Sequence, residues 1–216
     1  MIKAIIFDLD GVLVHTDKLH FLSWKKFTDK LGIYFDETIN NSMLGLSRAD
    51  SLNVVLERSD VKYTEQEKLA LAEEKNQIYK QYLSTMSPAD VSEEVTDTLT
   101  ALKNKGLKIA VGSSSKNALL ILKQVDLLRF FDAVADGTEI ARGKPDPEVF
   151  LKAASKLKVA PENCLVVEDA EAGVQAALRG GMTPVAVGQA VSCGKAHFNL
   201  QTFSQLLSVV DELNSK

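Results

Sequence analysis

The first eleven residues join an apolar run to two acidic side chains and a glycine. The run ends at Phe7 and is typical of a buried strand, and Asp8, Asp10 and Gly11 follow it. Because side chains alternate along a strand, Asp8 and Asp10 start on the same side of it. Gly11 permits a sharp turn where the strand ends, although Asp-Gly is also an ordinary turn dipeptide. The pattern predicts two carboxylates at the carboxyl edge of a sheet, where open α/β folds bind their ligands.

Length and composition limit the classes of protein that this chain can be. Its 216 residues, 45% of them apolar, suffice for one large domain or a core with a smaller insert. The net charge of −4 and the lack of a basic cluster argue against a nucleic-acid partner. No apolar run approaches the roughly 20 residues of a membrane span, and neither a membrane partner nor a signal peptide is expected. Cys164 and Cys193 lack metal-motif spacing, which favours a reducing, cytoplasmic location; we further expect a monomer.

The order of predicted elements indicates a core domain with an insert. Residues 17–85 are predicted to be almost wholly helical, because apolar residues recur at helical spacing between capping signals. After Pro88, helices alternate with nearly all-apolar strands, which predicts a parallel sheet covered by helices on both faces. The first strand needs the later strands as partners. We therefore predict an α/β fold, a doubly wound parallel-sheet (Rossmann-like) core of residues 1–14 and 88–216 with an inserted helical cap, residues 15–87.

A cap inserted directly after the acidic pair is expected to cover the chemistry and exclude water. In the core, the apolar pattern predicts further strands at 107–111, 133–135, 165–167 and 184–187 and helices at 92–105, 115–126, 146–157, 170–179 and 202–213.

Two polar motifs follow strands of the predicted core. Ser113, Ser114 and Ser115 precede a helix, where hydroxyls and free backbone N–H groups favour a phosphate, although the same serines suit a simple helix cap. Lys144 lies between a glycine and two nearby prolines that stiffen the segment. A lysine held in this way can neutralise phosphate oxygens and an attacking carboxylate, whereas a lone lysine is otherwise a solvated surface residue.

A further strand ends in the acidic pair Glu168 and Asp169. Two acids also suit the start of a helix, where they interact with its dipole. Together with Asp8 and Asp10, however, they would bring four negative charges together, and each close pair costs roughly 1–4 kcal/mol at 4 Å. A hard cation relieves this repulsion, and oxygen-only ligands favour Mg²⁺.

The ordered motifs around Asp8, Ser113, Lys144 and Glu168, with a helical insert after the first, resemble the haloacid dehalogenase superfamily of phosphatases and phosphomutases. The resemblance covers the whole chain. Within that superfamily the chain is similar to the β-phosphoglucomutases. This closer similarity rests on Thr16, His20 and the segments 7–12, 45–52, 74–76, 87–91, 113–117 and 168–173. That family interconverts β-glucose 1-phosphate and glucose 6-phosphate through a bisphosphate.

The resemblance implies a role for each core motif residue. Asp8 would be the nucleophile that becomes an aspartyl phosphate, and Asp10 the general acid and base on the sugar hydroxyl. Ser113 and Lys144 would bind the transferring phosphoryl group. The metal-binding set that the resemblance implies is Asp8, Asp10, through its backbone carbonyl, Glu168 and Asp169.

The resemblance also implies a pocket for a small phosphosugar. Arg48 would hold the phosphate that is not transferred, and Thr16 and His20 would lie at the hinge and help to set the position of Asp10. The implied substrate-binding residues are Thr16, His20, Gly45, Arg48, Ser51, Lys75, Ser114, Ser115, Lys116 and Asn117.

Two other functions remain open at this point. A sugar-phosphate phosphatase would share every core residue and differ only in whether water reaches the aspartyl phosphate. A phosphosugar-binding protein without catalysis would not need Asp8, Asp10 and Lys144 together. The family usually has lysine where this chain has Leu44, so we expect a weaker hold on the phosphosugar and some hydrolysis beside the mutase reaction.

Overall fold

A computed structural model of the chain describes residues 1–43 and 46–215. Leu44 and Gly45 lie outside the described residues, so the predictions made for them remain predictions from sequence. The chain divides into a core unit, Met1–His15 with Ser87–Lys216, and a cap unit, Thr16–Met86. The sequence prediction set each of these boundaries one residue away.

Strands and helices alternate in the core unit, whereas the described part of the cap unit is helical. The strands are β1 Ala4–Phe7, β2 Lys108–Gly112, β3 Ala133–Ala135, β4 Cys164–Glu168, β5 Thr183–Ala186 and β6 Phe198–Asn199. The helices are α1 Asp17–Leu31, α2 Glu37–Ser42, α3 Arg48–Leu56, α4 Glu65–Leu83, α5 Glu93–Asn104, α6 Ala118–Gln124, α7 Glu148–Leu157, α8 Glu171–Arg179 and α9 Leu206–Asn214. Short 3₁₀ turns lie at Pro88–Asp90, Leu128–Phe130, Pro161–Asn163, Gly188–Cys193 and Phe203–Gln205.

The described strands form one six-stranded sheet in the order β3-β2-β1-β4-β5-β6, and every pairing is parallel. β1 lies at the centre, between β2 and β4, with Phe7 opposite Val111 on one side and Val167 on the other. The chain therefore leaves β1 in one direction for β2 and β3 and later returns to its other side for β4. Such a switch point leaves a crevice at the carboxyl ends of the strands, and the residues that follow β1, β2 and β4 meet there.

Helices cover both faces of the sheet, as the apolar strands predicted. Ala4 and Ile6 belong to a buried cluster that includes residues of α7 and α8. On the opposite face Phe7 stacks on Phe203, with ring centroids 5.8 Å apart. Since all four residues of β1 are buried and alternate side chains lie on opposite faces of the sheet, the strand has no polar face. The predicted fold class is confirmed.

The predicted elements depart furthest from the structure at β6, α6 and α9; α9 begins at Leu206, not at the predicted residue 202. The edge strand β6 contains only two residues, Phe198 and Asn199, and so short a segment shows no alternation in the sequence. Helix α6 begins at Ala118, whereas the pattern predicted a helix from residue 115. Ser115 and Asn117 instead lie in turns closed by serine hydroxyls, and such turns compete locally with helix formation.

The cap unit has a hydrophobic core of its own. Trp24 and Phe27 of α1 pack with Leu52 and Val55 of α3 and with Ile78 of α4. Thr64 and Glu67 form a reciprocal capping box at the start of α4, as the sequence predicted. None of the helices in the described part of the chain has the length and apolarity that a membrane crossing requires.

Candidate active site

Lys144 joins two carboxylates at the carboxyl ends of adjacent strands. Its Nζ contacts Asp8 Oδ1 and Glu168 Oε1, which follow β1 and end β4. The parallel register of the two strands brings these acids together, and the Asp8 N–H donates to the Val167 carbonyl at 3.0 Å. The side chains of Lys144 and Asp8 are 11% and 9% exposed, and that of Glu168 is 1% exposed. The result is a largely dehydrated ion-pair triad.

Burial and charge act in opposite directions within this triad. Burial raises the pKa of Asp8, and the neighbouring Lys144 ammonium opposes that rise. Burial by itself lowers the pKa of Lys144, but the Asp8 and Glu168 carboxylates together raise it above its ordinary value. Lys144 is therefore a permanent cation beside Asp8, and it favours the ionised carboxylate that a nucleophile requires.

Two glycines make room for the acidic pair at the end of β4. Gly11 has a φ of +83°, and a Cβ placed on it would lie 1.9 Å from Asp169 Oδ2. Gly173 in α8 approaches Glu168 in the same way, with an added Cβ 1.9 Å from Oε1. Glu168 Oε2 also accepts the Ala170 N–H at 2.9 Å. The Asp169 carboxylate is thus held against the turn that follows Asp10.

The acidic residues gathered here offer oxygen atoms to a divalent cation. Among the described residues, no group of three or more His, Cys, Asp or Glu side chains is already arranged as a metal site. Both oxygens of Glu168 accept hydrogen bonds, from Lys144 and from the Ala170 N–H. The Asp169 carboxylate, which fills the space left by Gly11, and the second oxygen of Asp8 are hard oxygen donors of the type that Mg²⁺ prefers. The donor chemistry fits magnesium. Lys144 already neutralises part of the negative charge of the four acids, which the sequence had suggested a metal ion would neutralise.

The serine segment after β2 is organised by its own hydroxyls. The Ser113 N–H donates to the Ala135 carbonyl at 3.1 Å, and Ser113 Oγ accepts the Ser115 N–H at 3.1 Å. Ser115 Oγ in turn accepts the Asn117 N–H at 3.2 Å. Ser113 and Asn117 are buried, whereas Ser114 and Lys116 are exposed. The segment is therefore a fixed polar loop at the carboxyl edge of the sheet.

The cap unit contains a separate group in which basic side chains meet aromatic rings. Lys75 is only 2% exposed, and its Nζ lies 4.6 Å from the Trp24 ring centroid and 4.8 Å from that of Tyr79. The His20 ring stacks on Tyr79 with centroids 4.1 Å apart, and its Nδ1 is 3.4 Å from Lys75 Nζ. Two cation–π contacts thus surround a buried ammonium.

The charges in this group repel one another. Burial first, and then the charges of Lys75 and Arg48, lower the pKa of His20 to about 3, so its ring is neutral at pH 7. Burial and the nearby Arg48 guanidinium lower the pKa of Lys75 to about 7. Burial also lowers the pKa of Arg48, and the charges of Glu73 and Tyr79 partly oppose this decrease. An incoming anion would relieve this repulsion, so the group has the electrostatics of a phosphate site.

The remaining cap residues named from the sequence are placed as follows. Thr16 is buried and accepts the His20 N–H through its carbonyl at 2.9 Å. Ser51 is buried on α3, one turn after Arg48, and Gly45 lies outside the described residues. Sequence reasoning named neither Tyr79 nor Trp24 as a site residue. The spacing of four between His20 and Trp24, and between Lys75 and Tyr79, places each pair on one helix face and was the available signal.

Comparison with known proteins agrees with this geometry. Residues 2–181 match the family model of haloacid dehalogenase-like hydrolases. The chain is 43% identical over 189 residues to a β-phosphoglucomutase of Bacillus subtilis, covering 87% of this chain and 84% of that protein. It is 31% identical to a phosphorylated carbohydrates phosphatase of Thermotoga maritima, covering 90% and 89% of the two chains.

A solved structure extends the comparison to the fold. The crystal structure of a β-phosphoglucomutase from Clostridium difficile superposes with a TM-score of 0.91 at 36% identity, and covers 100% of this chain and 98% of that one. The family model spans most of the chain, and the structure brings Asp8, Lys144 and Glu168 of three ordered motifs into contact. The chain belongs to the haloacid dehalogenase-like hydrolase family.

Proposed function

We propose that this protein is a phosphomutase that interconverts β-D-glucose 1-phosphate and glucose 6-phosphate through a bisphosphate and an aspartyl-phosphate enzyme. The observation that carries the proposal is that each unit has its own buried lysine, Lys144 in the core unit and Lys75 in the cap unit. Lys144 accompanies Asp8 in the core unit, and Lys75 and Arg48 share one electrostatic environment in the cap unit. A bisphosphate has two phosphoryl groups to be held, whereas simple hydrolysis needs cations around one.

Asp8 is proposed as the nucleophile. One oxygen of its carboxylate attacks the phosphorus of the sugar bisphosphate, and the bond from phosphorus to the sugar oxygen breaks. Lys144, already in contact with Asp8, neutralises charge on the transferring group, and Ser113 donates a hydrogen bond to it. Ser114 and Lys116, both exposed, are proposed to bind the phosphosugar. The phosphoryl group later passes from Asp8 to the free hydroxyl of an incoming sugar monophosphate, which regenerates the bisphosphate.

Asp10 is proposed as the general acid and base. It gives a proton to the sugar oxygen when the phosphoryl group leaves for Asp8, and it takes the proton of the attacking hydroxyl in the reverse step. Arg48, Lys75 and Ser51 hold the phosphosugar in the cap, with Thr16 and His20 setting the position of Asp10. Ser115 and Asn117 of the core unit are also proposed to bind the phosphosugar.

Magnesium is the proposed cofactor. Asp8, the Asp10 carbonyl, Glu168 and Asp169 would hold it, and the contacts of Glu168 with Lys144 and the Ala170 N–H would orient its carboxylate. When bound, the ion would supply charge neutralisation between the nucleophile and the phosphoryl oxygens.

A phosphatase acting on sugar phosphates is the second candidate. The 31% identity to a phosphorylated carbohydrates phosphatase favours it, since both reactions pass through the same aspartyl phosphate. The two functions differ in whether a sugar hydroxyl or water accepts the phosphoryl group.

A coupled assay for glucose 6-phosphate tests the proposal. The enzyme receives β-glucose 1-phosphate, Mg²⁺ and a trace of the 1,6-bisphosphate, while release of inorganic phosphate is followed in parallel. We expect glucose 6-phosphate to form much faster than phosphate, and Asp8→Asn to abolish both reactions. Phosphate release without glucose 6-phosphate would favour the phosphatase, and the absence of both would reject both functions.

A further inference from the structure

The loop that contains Lys144 is held in place by a side chain that is not part of the ion-pair triad. Glu148, the first residue of α7, turns its carboxylate back toward the loop. Its Oε2 accepts the Ala141 N–H at 3.1 Å and the Arg142 N–H at 3.0 Å. One carboxylate oxygen thus holds two consecutive backbone donors immediately before Lys144.

The segment on the other side of Lys144 is held as well. The Asp146 N–H donates to the Gly143 carbonyl at 3.0 Å, and Asp146 Oδ1 accepts the Glu148 N–H at 3.0 Å. Arg179, the last residue of α8, donates from Nη1 to the Pro145 carbonyl at 3.1 Å. Since α7 and α8 both pack on the sheet, these contacts tie the Lys144 loop to the strands that carry Asp8 and Glu168.

We propose that Glu148 is a positioning residue for phosphoryl transfer, because its hydrogen bonds to the Ala141 and Arg142 amides keep Lys144 against Asp8 and Glu168. The inference rests on the proposed role of Lys144 in the reaction. Glu148 touches none of the proposed reacting atoms and acts only through the loop.

The charge of Glu148 suits this task. The two backbone hydrogen bonds, from Arg142 and from Ala141, lower the pKa of Glu148, so the carboxylate remains ionised at neutral pH. Hydrogen bonds to an ionised acceptor are roughly twice as strong as neutral ones. A displacement of about 1 Å at a catalytic group can reduce the rate by about 10²-fold, so loss of this anchor is expected to be visible in kcat.

The test compares Glu148→Ala with Glu148→Gln in the full-length enzyme. Both remove the acidic charge from the first turn of α7, but only Gln retains an acceptor oxygen for the two amides. Glu93→Ala is the matched control, because Glu93 is exposed and occupies the same first position in α5. Lys144→Met shows how far kcat falls when the lysine ammonium is absent.

We expect Glu148→Ala to lower kcat by about tenfold to a hundredfold with little change in KM. Glu148→Gln should recover most of kcat, and Glu93→Ala should match the wild type. Hydrogen–deuterium exchange of segment 141–146 should be faster in Glu148→Ala than in Glu148→Gln at equal thermal stability. Should Glu148→Ala fail to fold, Glu148→Asp, which withdraws the carboxylate by one methylene, is expected to show a partial loss of kcat.

Equal losses in Glu148→Ala and Glu148→Gln would overturn the proposal, because charge alone would then explain them. Wild-type kcat in Glu148→Ala, or in a folded Glu148→Asp where Ala does not fold, would overturn it too. All variants are also assayed for p-nitrophenyl phosphate hydrolysis. If the wild type lacks mutase activity but these variants keep the predicted order there, the proposed function fails and the positioning role stands. If Lys144→Met hydrolyses this ester at the wild-type rate, the positioning role fails.

Discussion

The Asp169 carboxylate occupies the space that a side chain on Gly11 would need: an added Cβ would lie 1.9 Å from Oδ2. Gly11 also has a φ of +83°, a conformation that L-residues with a side chain rarely adopt. The turn after Asp10 and the side chain of Asp169 therefore pack directly against each other.

Gly11→Ala should weaken magnesium binding as well as the fold. Left-handed strain costs roughly 1–2 kcal/mol, and displacement of Asp169 should raise the Mg²⁺ concentration needed for half-maximal activity. Gly106→Ala is the control, because Gly106 has a φ of +77° and an added Cβ there meets nothing within 4 Å. Chemical denaturation and magnesium titration should show a stability loss in both variants and a magnesium effect in Gly11→Ala alone. Equal magnesium curves for the two variants would contradict the prediction.

Asp10→Asn should separate metal binding from proton transfer. The backbone carbonyl that we propose as a metal ligand is unchanged, so the magnesium requirement should stay close to that of the wild type. Loss of a general acid and base should lower turnover by about 10²–10⁴-fold. Turnover near the wild-type rate would show that Asp10 serves only the turn, which also contains the Gly11 N–H bond to the Val14 carbonyl at 2.7 Å.

Lys75 should make both stability and substrate binding depend on pH. Its pKa is lowered from 10.5 to about 7 in the folded chain, so the unfolded chain binds one more proton between these values. The free energy of unfolding should therefore rise with pH in that window, by at most about 1.4 kcal/mol per pH unit. The groups that act on Lys75 are His20, neutral at pH 7, Arg48 and the rings of Trp24 and Tyr79.

Substrate binding should change in the opposite direction. Above pH 7 Lys75 loses its charge, so KM for an anionic phosphosugar should rise as the pH increases. Lys75→Met should flatten both profiles, whereas Lys30→Met, which alters a 65% exposed lysine of the same unit, should leave them unchanged. A wild-type KM that does not vary across pH 7 would refute the assignment.

Leu44→Lys tests an expectation drawn from the sequence alone. A charged hydrogen bond to the phosphosugar contributes about 1.5–3 kcal/mol, so affinity should improve by about tenfold to a hundredfold. The ratio of glucose 6-phosphate formed to phosphate released should rise with it. If both quantities stay constant, another cation such as Lys75 already supplies the contact.

The local chemistry of this protein could be read from its sequence. An apolar strand ending in Asp8 and Asp10, a serine segment beginning at Ser113, and Glu168 after a further strand predicted the parallel sheet and its acidic edge. These features follow from residues that are close together in the chain. Side chains alternate along a strand, glycines permit turns, and alternating strands and helices require parallel strands. The two-residue strand β6 was missed because its pairing with β5 is nonlocal.

Only the tertiary structure decided which charges meet. Lys144 lies 136 residues from Asp8 in sequence and 24 from Glu168, and nothing local indicates that its ammonium bridges the two carboxylates. The same holds for Lys75 and His20, 55 residues apart, whose mutual burial against Tyr79 moves both of their pKa values. Residue types and spacing determine which groups are available for catalysis. Burial and distance, which set the dielectric environment and the strength of each interaction, arise only when the elements pack.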